Sequence, residues 1–341
     1  MTGSQTYFSL SREDKIDALE VAASKLGRPA DLLEKDIWVV WVLDALFDSD
    51  LGEHLVFKGG TSLSKVYKAI DRFSEDVDLT YDIRQIIPDL IKDPEDPYPP
   101  SRSQAQKWTE AVRGRLGEWV GSTVAPMLSD KVKAAALLAE IRIAGDKIYL
   151  DYEAVRSGSG YVRSSVLLEF GARSTGEPAQ RHKVVCDLSN ALLDLITPVA
   201  TPRVMMAERT FWEKATAIHA YCLRGAFRGG DRYARHWYDL DRLQAVGIAA
   251  RALEDKPLAQ DVAKHKQHFF RETDRAGATI NYADAVSGSL CLIPEGEASE
   301  ALAQDYRKMQ EAGLLQSDSI AFDDLMARLM DLQDQANKRA E

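Results

Sequence analysis

Between Val56 and Asp82 the chain reads VFKGGTSLSKVYKAIDRFSEDVDLTYD, and no other stretch constrains its fold as strongly. An apolar strand, His54 to Phe57, runs into Gly59-Gly60, where the missing side chains let the backbone approach a ligand. Thr61-Ser62 bring hydroxyls to the first turn of a helix, whose unpaired N–H groups and dipole favour anions. Leu63, Val66, Tyr67 and Ile70 recur at helical spacing and mark its buried face. Arg72, Phe73 and Ser74 turn the chain back into the sheet. Asp76-Val77-Asp78-Leu79 then alternates polar and apolar, as a half-buried strand does, so Asp76 and Asp78 share a face. Two such carboxylates repel unless a cation sits between them, and oxygen ligands suit Mg²⁺. A lone D-x-D is ordinarily two solvated acids, and a lone Gly-Gly a turn. In combination they point to an enzyme that moves part of a nucleoside triphosphate (NTP). No Lys-Ser/Thr pair follows the glycines, which disfavours a Walker-type NTPase.

Other residues stand out on similar grounds. Glu169 lies in VLLEFGAR, a strand where an acid among apolar neighbours needs a partner or a metal. Either it is a third carboxylate of the metal site or it pairs with Arg173 or Arg163; Asp151 and Glu153 are weaker alternatives. Lys214 lies beside the buried face marked by Phe211, Ala215 and Ile218, where a long cation reaches a phosphate or forms an ordinary helix-surface contact. Lys58 and Arg72 flank the glycine turn, and Arg72 either touches phosphate or buttresses Asp76. The histidines and cysteines show no zinc-ligand spacing.

The pattern of Gly-Gly-Thr-Ser and then D-x-D on the next strand resembles the DNA polymerase β-type nucleotidyltransferase superfamily. The longer wording, FKGGTSLSKVY then RFSEDVDL, resembles its AbiEii/AbiGii-type toxins. EKDIWVVWVLDALF (34–47), RTFWEKATAIH (209–219), RHWYDLDRL (235–243) and the region 269–309 extend the similarity over most of the chain. The resemblance implies transfer of a nucleotide from an NTP by in-line attack on the α-phosphorus. It gives Asp76 and Asp78 two Mg²⁺ (or Mn²⁺) ions to bridge, calls for a third carboxylate for which Glu169 is the best candidate, and puts Lys214 on the triphosphate. It places an acid near the site in the 235–243 helix. The family wording there is closer to R-D-x-x-D-L; His236 stands at the first acid, so Asp239 carries the role. It further implies a toxin of a bacterial toxin–antitoxin or phage-defence pair, blocking translation by modifying tRNA 3′ ends, with a cognate antitoxin as partner. Two rival readings stay open: the same chemistry on a protein hydroxyl or an antibiotic, and a silent NTP sensor.

The expected fold is α/β (α+β). A small mixed-sheet nucleotidyltransferase core (51–202) carries a helical insertion at about 93–145. N-terminal helices (1–50) precede it and a helical C-terminal domain (203–341) follows. Ser11 with Asp14 starts a helix that Gly27 stops. No apolar run approaches the ~20 residues of a membrane span, the first residues lack a signal-peptide pattern, and three scattered cysteines fit a reducing cytoplasm. The net charge of −10 argues against broad nucleic-acid binding. It leaves room for a local basic site, and two candidate clusters are Arg203, Arg209, Lys214, Arg224, Arg228, Arg232 and Arg235, and Lys264-His265-Lys266.

Overall fold

A computed structural model describes residues 5–72, 74, 76–155, 163–227, 232–315 and 320–340. Phe73 and Arg228, both named above, lie outside the described residues. The chain divides into two compact units: Met1–Thr61, Glu75–Leu90 and Glu110–Val204 form the first, and Ser62–Ser74, Ile91–Thr109 and Met205–Glu341 the second.

The first unit opens with α1 (Arg12–Leu26) and α2 (Ala30–Phe47). The Ser11 hydroxyl accepts the Asp14 N–H, and Gly27 closes α1 in the left-handed region at φ 64°. Then follow β1 (Leu55–Lys58), α3 (Gly59–Lys65, whose last turn enters the second unit), β2 (Asp76–Tyr81) and α4 (Ile83–Ile86). Next come α5 (Arg102–Trp119), a π-helical turn at Val120–Val124, and α6 (Ala125–Ala134). The strands β3 (Ala139–Ala144), β4 (Lys147–Tyr152), β5 (Ser165–Gly171), β6 (Ala179–Arg181), β7 (Val184–Val185), β8 (Val199–Ala200) and β9 (Arg203–Met205) complete it. Seven of them make one mixed sheet in the order β3-β4-β5-β2-β1-β9-β6, and β7 pairs with β8. The apolar face of the sheet carries Phe57, Val77, Leu79, Leu168, Phe170, Ile148 and Leu150, all buried. Trp38 of α2 stacks on Tyr152 of β4, with ring centroids 5.1 Å apart. The α/β class is as expected.

Several local readings differ. The helix after the glycines begins at Gly59 itself and stops at Lys65, so Val66, Tyr67 and Ile70 lie beyond it. The stretch read as helical to 145 leaves the helix at Ala134, and 139–144 is the edge strand β3. The alternation Glu140-Ile141-Arg142-Ile143 before the Gly145 turn is the period-2 signal that marks it. The first residues of the insertion, 93–109, fall in the second unit. Arg203–Met205 is strand β9 where helix was expected.

The second unit is a helical cluster of α7 (Ala207–Arg224), α8 (Ala234–Ala245), α9 (Ile248–Glu254), α10 (Lys256–Phe269), α11 (Glu297–Glu311) and α12 (Phe322–Ala340). Residues 270–285, also read as mainly helical, hold only a short 3₁₀ turn that starts at Asp284. Leu63, Ala69 and Ile70 bury in the same core as Phe211, Trp237 and Leu329. The indoles are anchored as buried polar groups must be: Trp212 Nε1 donates to the Ala252 carbonyl at 2.9 Å and Trp237 Nε1 to that of Leu292 at 2.8 Å. Among the described residues no helix is long and apolar enough to cross a membrane.

A buried acid in α2 gives a testable pH dependence. Glu34 is 4% exposed and accepts the Val155 N–H at 3.0 Å. Burial outweighs that bond and pushes its carboxyl from 4.5 up to about 7. The folded state therefore favours the protonated form. The stability this contributes is full below the unfolded value and is lost as pH rises through about 7. Glu34→Gln keeps the group neutral and still able to accept the N–H. Above pH 7 the variant is expected to be the more stable protein, by about 2–3 kcal/mol in urea unfolding. Equal pH slopes for variant and parent would refute the assignment.

Candidate active site

In the first unit, strand register assembles the site. β2 runs antiparallel to β1 and parallel to β5, and β5 runs antiparallel to β4. Lys58 lies opposite Asp78, Asp78 opposite Glu169, and Glu169 opposite Lys147. Residues in register across a sheet point to the same side. These four side chains thus form one row, two carboxylates between two lysines, on the face opposite the buried apolar layer. Asp76, two residues before Asp78, shares that face and lies opposite Leu167. Asp76 and Asp78 thus share a face of the sheet with Glu169 of the neighbouring strand.

Gly59 shows why glycine is required at the turn. Its φ is +78°, and a Cβ there would lie 2.0 Å from Asp78 Oδ2 and 2.8 Å from Cγ. The Asp78 carboxylate therefore lies against the bare Cα. Gly59→Ala combines left-handed strain with displacement of the carboxylate. We expect it to lower thermal stability by about 1–3 kcal/mol and to lower activity together with it. Stability and activity equal to the parent's would show that Asp78 does not need this position.

The hydroxyls behind the turn behave differently from the expectation. Thr61 and Ser62 are 2% and 0% exposed, and Thr61 Oγ1 donates to the Asp76 carbonyl at 2.5 Å. Thr61 fastens the start of α3 to β2; neither hydroxyl is presented to solvent as a phosphate ligand. Both residues lie in the first turn of α3, which begins at Gly59, with their side chains turned into the core.

Glu169 forms an ion pair with Lys147, and neither Arg173 nor Arg163 is its partner. The side chains are 34% and 42% exposed. Of the weaker alternatives, Asp151 pairs with Arg142 at 3.0 Å and Glu153 with Arg12 at 3.4 Å. Among the described residues no three His, Cys, Asp or Glu side chains converge closely enough to hold an ion. In kind the donors fit Mg²⁺: carboxylate oxygens on one face, two on β2 and one beside them on β5. In position Glu169 is drawn toward β4. Lys147 is the residue that sequence reasoning missed. The alternation in KIYLDY gives its face, but only register gives its neighbour.

In the second unit, Arg72, Lys214, His236 and Asp239 come together. Asp239 is fully buried. Arg72 grips it with two bonds, Nε to Oδ1 and a terminal nitrogen to Oδ2, each 2.7 Å. Lys214 Nζ lies 2.9 Å from Asp239 Oδ2 and 3.5 Å from His236 Nδ1. Burial alone would raise the Asp239 carboxyl; Arg72 and Lys214 outweigh it and hold it well below the usual carboxylate range. Burial and the Lys214 charge push His236 far below its ordinary value, so it is neutral. Arg72, 5% exposed, grips Asp239. Asp239 is enclosed by the Arg72 guanidinium and the Lys214 ammonium.

The arginine-rich segment is likewise largely committed inside each unit. Arg203 pairs with Glu177, Arg209 with Asp261 and Glu213, and Arg224 with Glu272. Lys264 pairs with Asp96 at 2.6 Å and His265 is buried. Arg203, Arg209, Arg224 and Lys264 thus neutralise carboxylates within their own units.

A family model described as nucleotidyl transferase AbiEii toxin, type IV toxin–antitoxin system, matches residues 41–328. No curated protein matches the chain. The matched span takes in both the acidic row of the first unit and the Arg72–Asp239–Lys214 cluster of the second.

Proposed function

The chain belongs to the AbiEii family of nucleotidyltransferase toxins, and on that premise we propose that it transfers a nucleotide from an NTP in a metal-dependent reaction centred on Asp76 and Asp78. The observation that carries the reading is the row itself: two β2 carboxylates and Glu169 on one face, with Gly59 leaving room for Asp78. Mg²⁺ held by Asp76 and Asp78, with Glu169 as the further oxygen donor, would stabilise charge on the attacking and leaving oxygens. Lys58, at the end of the row, would meet phosphate oxygens with its ammonium. Gly59 and Gly60 let the backbone come close to the nucleotide. In the reaction the acceptor oxygen bonds to the α-phosphorus as pyrophosphate departs, and the acceptor's proton passes to a carboxylate of the row. Lys214 is assigned to the triphosphate by resemblance, and Asp239 to holding it.

Family membership implies an antitoxin partner. For the acceptor we propose tRNA, at its 3′ end, with arrest of translation in phage defence as the consequence. The internal pairing of Arg203, Arg209 and Arg224, together with the net charge of −10, favours a second reading in which a protein hydroxyl or an antibiotic accepts the nucleotide.

The test is labelling. The protein is incubated with Mg²⁺, each α-labelled NTP in turn, total tRNA and total cell protein, alongside an Asp78→Asn control. Label on tRNA that the control lacks supports the first reading and names the base. Label on protein moves the acceptor to the second. Label equal in the control refutes the assignment of Asp78.

A further inference from the structure

We propose that Lys147 is a positioning residue that holds the Glu169 carboxylate away from the metal until an NTP arrives, then releases it and moves to a triphosphate oxygen. The inference rests on the nucleotidyl-transfer reading and deepens it. Its ground is the order of charges in the row: Lys58, Asp78, Glu169, Lys147. Asp78 and Glu169 stand on adjacent strands, about 5 Å apart at the backbone. Without a cation between them they repel. Lys147 lies on the far side of Glu169 and draws it toward β4, away from Asp78. An oxygen lone pair given to an ammonium is not available to a divalent ion, so the third ligand is occupied in the resting protein.

The exposure of the pair makes it reversible. Arg72–Asp239, bidentate and with side chains 4% and 0% exposed, is a permanent structural contact. Lys147–Glu169, with side chains 42% and 34% exposed, is a single lysine on a flexible stem that water and counter-ions reach. An arriving NTP with its metal offers each partner a replacement. Glu169 exchanges an ammonium for a divalent ion, and Lys147 exchanges a carboxylate for a phosphate oxygen. No bond to carbon or phosphorus changes and no proton moves in this exchange. A cross-strand pair that merely stabilised the sheet would affect unfolding and leave metal affinity alone.

The experiment measures Mn²⁺ binding to the nucleotide-free full chain by electron paramagnetic resonance, for the parent, Lys147→Met, Lys147→Arg, Glu169→Gln, the Lys147→Met/Glu169→Gln double variant and Asp78→Asn. Lys147→Met is expected to tighten Mn²⁺ binding about fivefold, the equivalent of a half-exposed ion pair. Lys147→Arg keeps the pair and binds as the parent does. In the Glu169→Gln background the Lys147→Met change has no effect. The KM for NTP rises in Lys147→Met even as metal binding tightens, a pairing of opposite signs that a structural role does not produce. An Asp78-dependent Mn²⁺ site whose affinity Lys147→Met leaves unchanged or weakens overturns this inference alone. Absence of any Asp78-dependent site overturns the metal reading, and this inference with it.

Discussion

Replacing Asp78 by asparagine is expected to lower nucleotidyl transfer by on the order of 10³-fold with little change in stability. The substitution keeps the shape that lies against Gly59 and leaves Val77 and Leu79 in the core. What it removes is one charge from the row. Asn still offers an oxygen, but a neutral one with a weaker hold on a hard cation. Asp76→Asn should act in the same direction, because the two carboxylates share a face and flank the same space. Lys58→Met, at the end of the row, is expected to raise the KM for NTP more than it lowers kcat. Initial rates with labelled NTP, read beside thermal unfolding curves, separate loss of chemistry from loss of fold. A folded Asp78→Asn protein with more than a tenth of parental activity would remove the carboxylates from the mechanism.

The largest effect on stability is expected at Asp239. Asp239→Ala leaves the Arg72 guanidinium, with a side chain 4% exposed, and the Lys214 ammonium, 12% exposed, facing each other without the acid that separates them. Breaking a buried ion pair by removing one partner costs about 3–5 kcal/mol, because the remaining charge stays desolvated. The urea midpoint should fall accordingly, and toxicity should fall with it through loss of folded protein. Replacing all three together (Arg72→Met, Asp239→Leu and Lys214→Met) removes the stranded charges and should restore much of the midpoint without restoring activity. The pH dependence follows the depressed carboxyl: its contribution is present above the unfolded value of 3.8 and is lost as pH falls through the lower folded value. A midpoint for Asp239→Ala equal to the parent's would show that the cluster bears no load.

The sequence by itself determined the α/β class, the strand–glycine–helix–strand unit and the sharing of one face by Asp76 and Asp78. Each of these is local: an alternation of two, a capping pattern, a residue without Cβ. Ser11 and Gly27 bound α1 where the capping pattern puts them, and the strand expected at His54 to Phe57 is found one residue later, at Leu55–Lys58. The family, too, was legible in the wording of 57–79 and 209–243. Tertiary structure alone decided the partners. Whether Glu169 faces Arg173, Arg163 or Lys147 depends on which strand lies next to β5 and in which register, and a strand's own sequence is silent on both. Arg72, read from its place near the glycine turn as touching phosphate or buttressing Asp76, grips Asp239: residues 62–74 bury Leu63 and Ile70 in the helical core and carry the arginine in with them. Thr61 and Ser62 do lie in the first turn of α3, but their burial is a tertiary fact: which side of a helix faces the core depends on what packs against it. Charge is the least local property of all. The arginines of 203–235 read as a basic stripe in one dimension; in three, each described member from Arg203 to Arg224 meets a carboxylate, because a charge taken into a folded unit needs an opposite charge beside it.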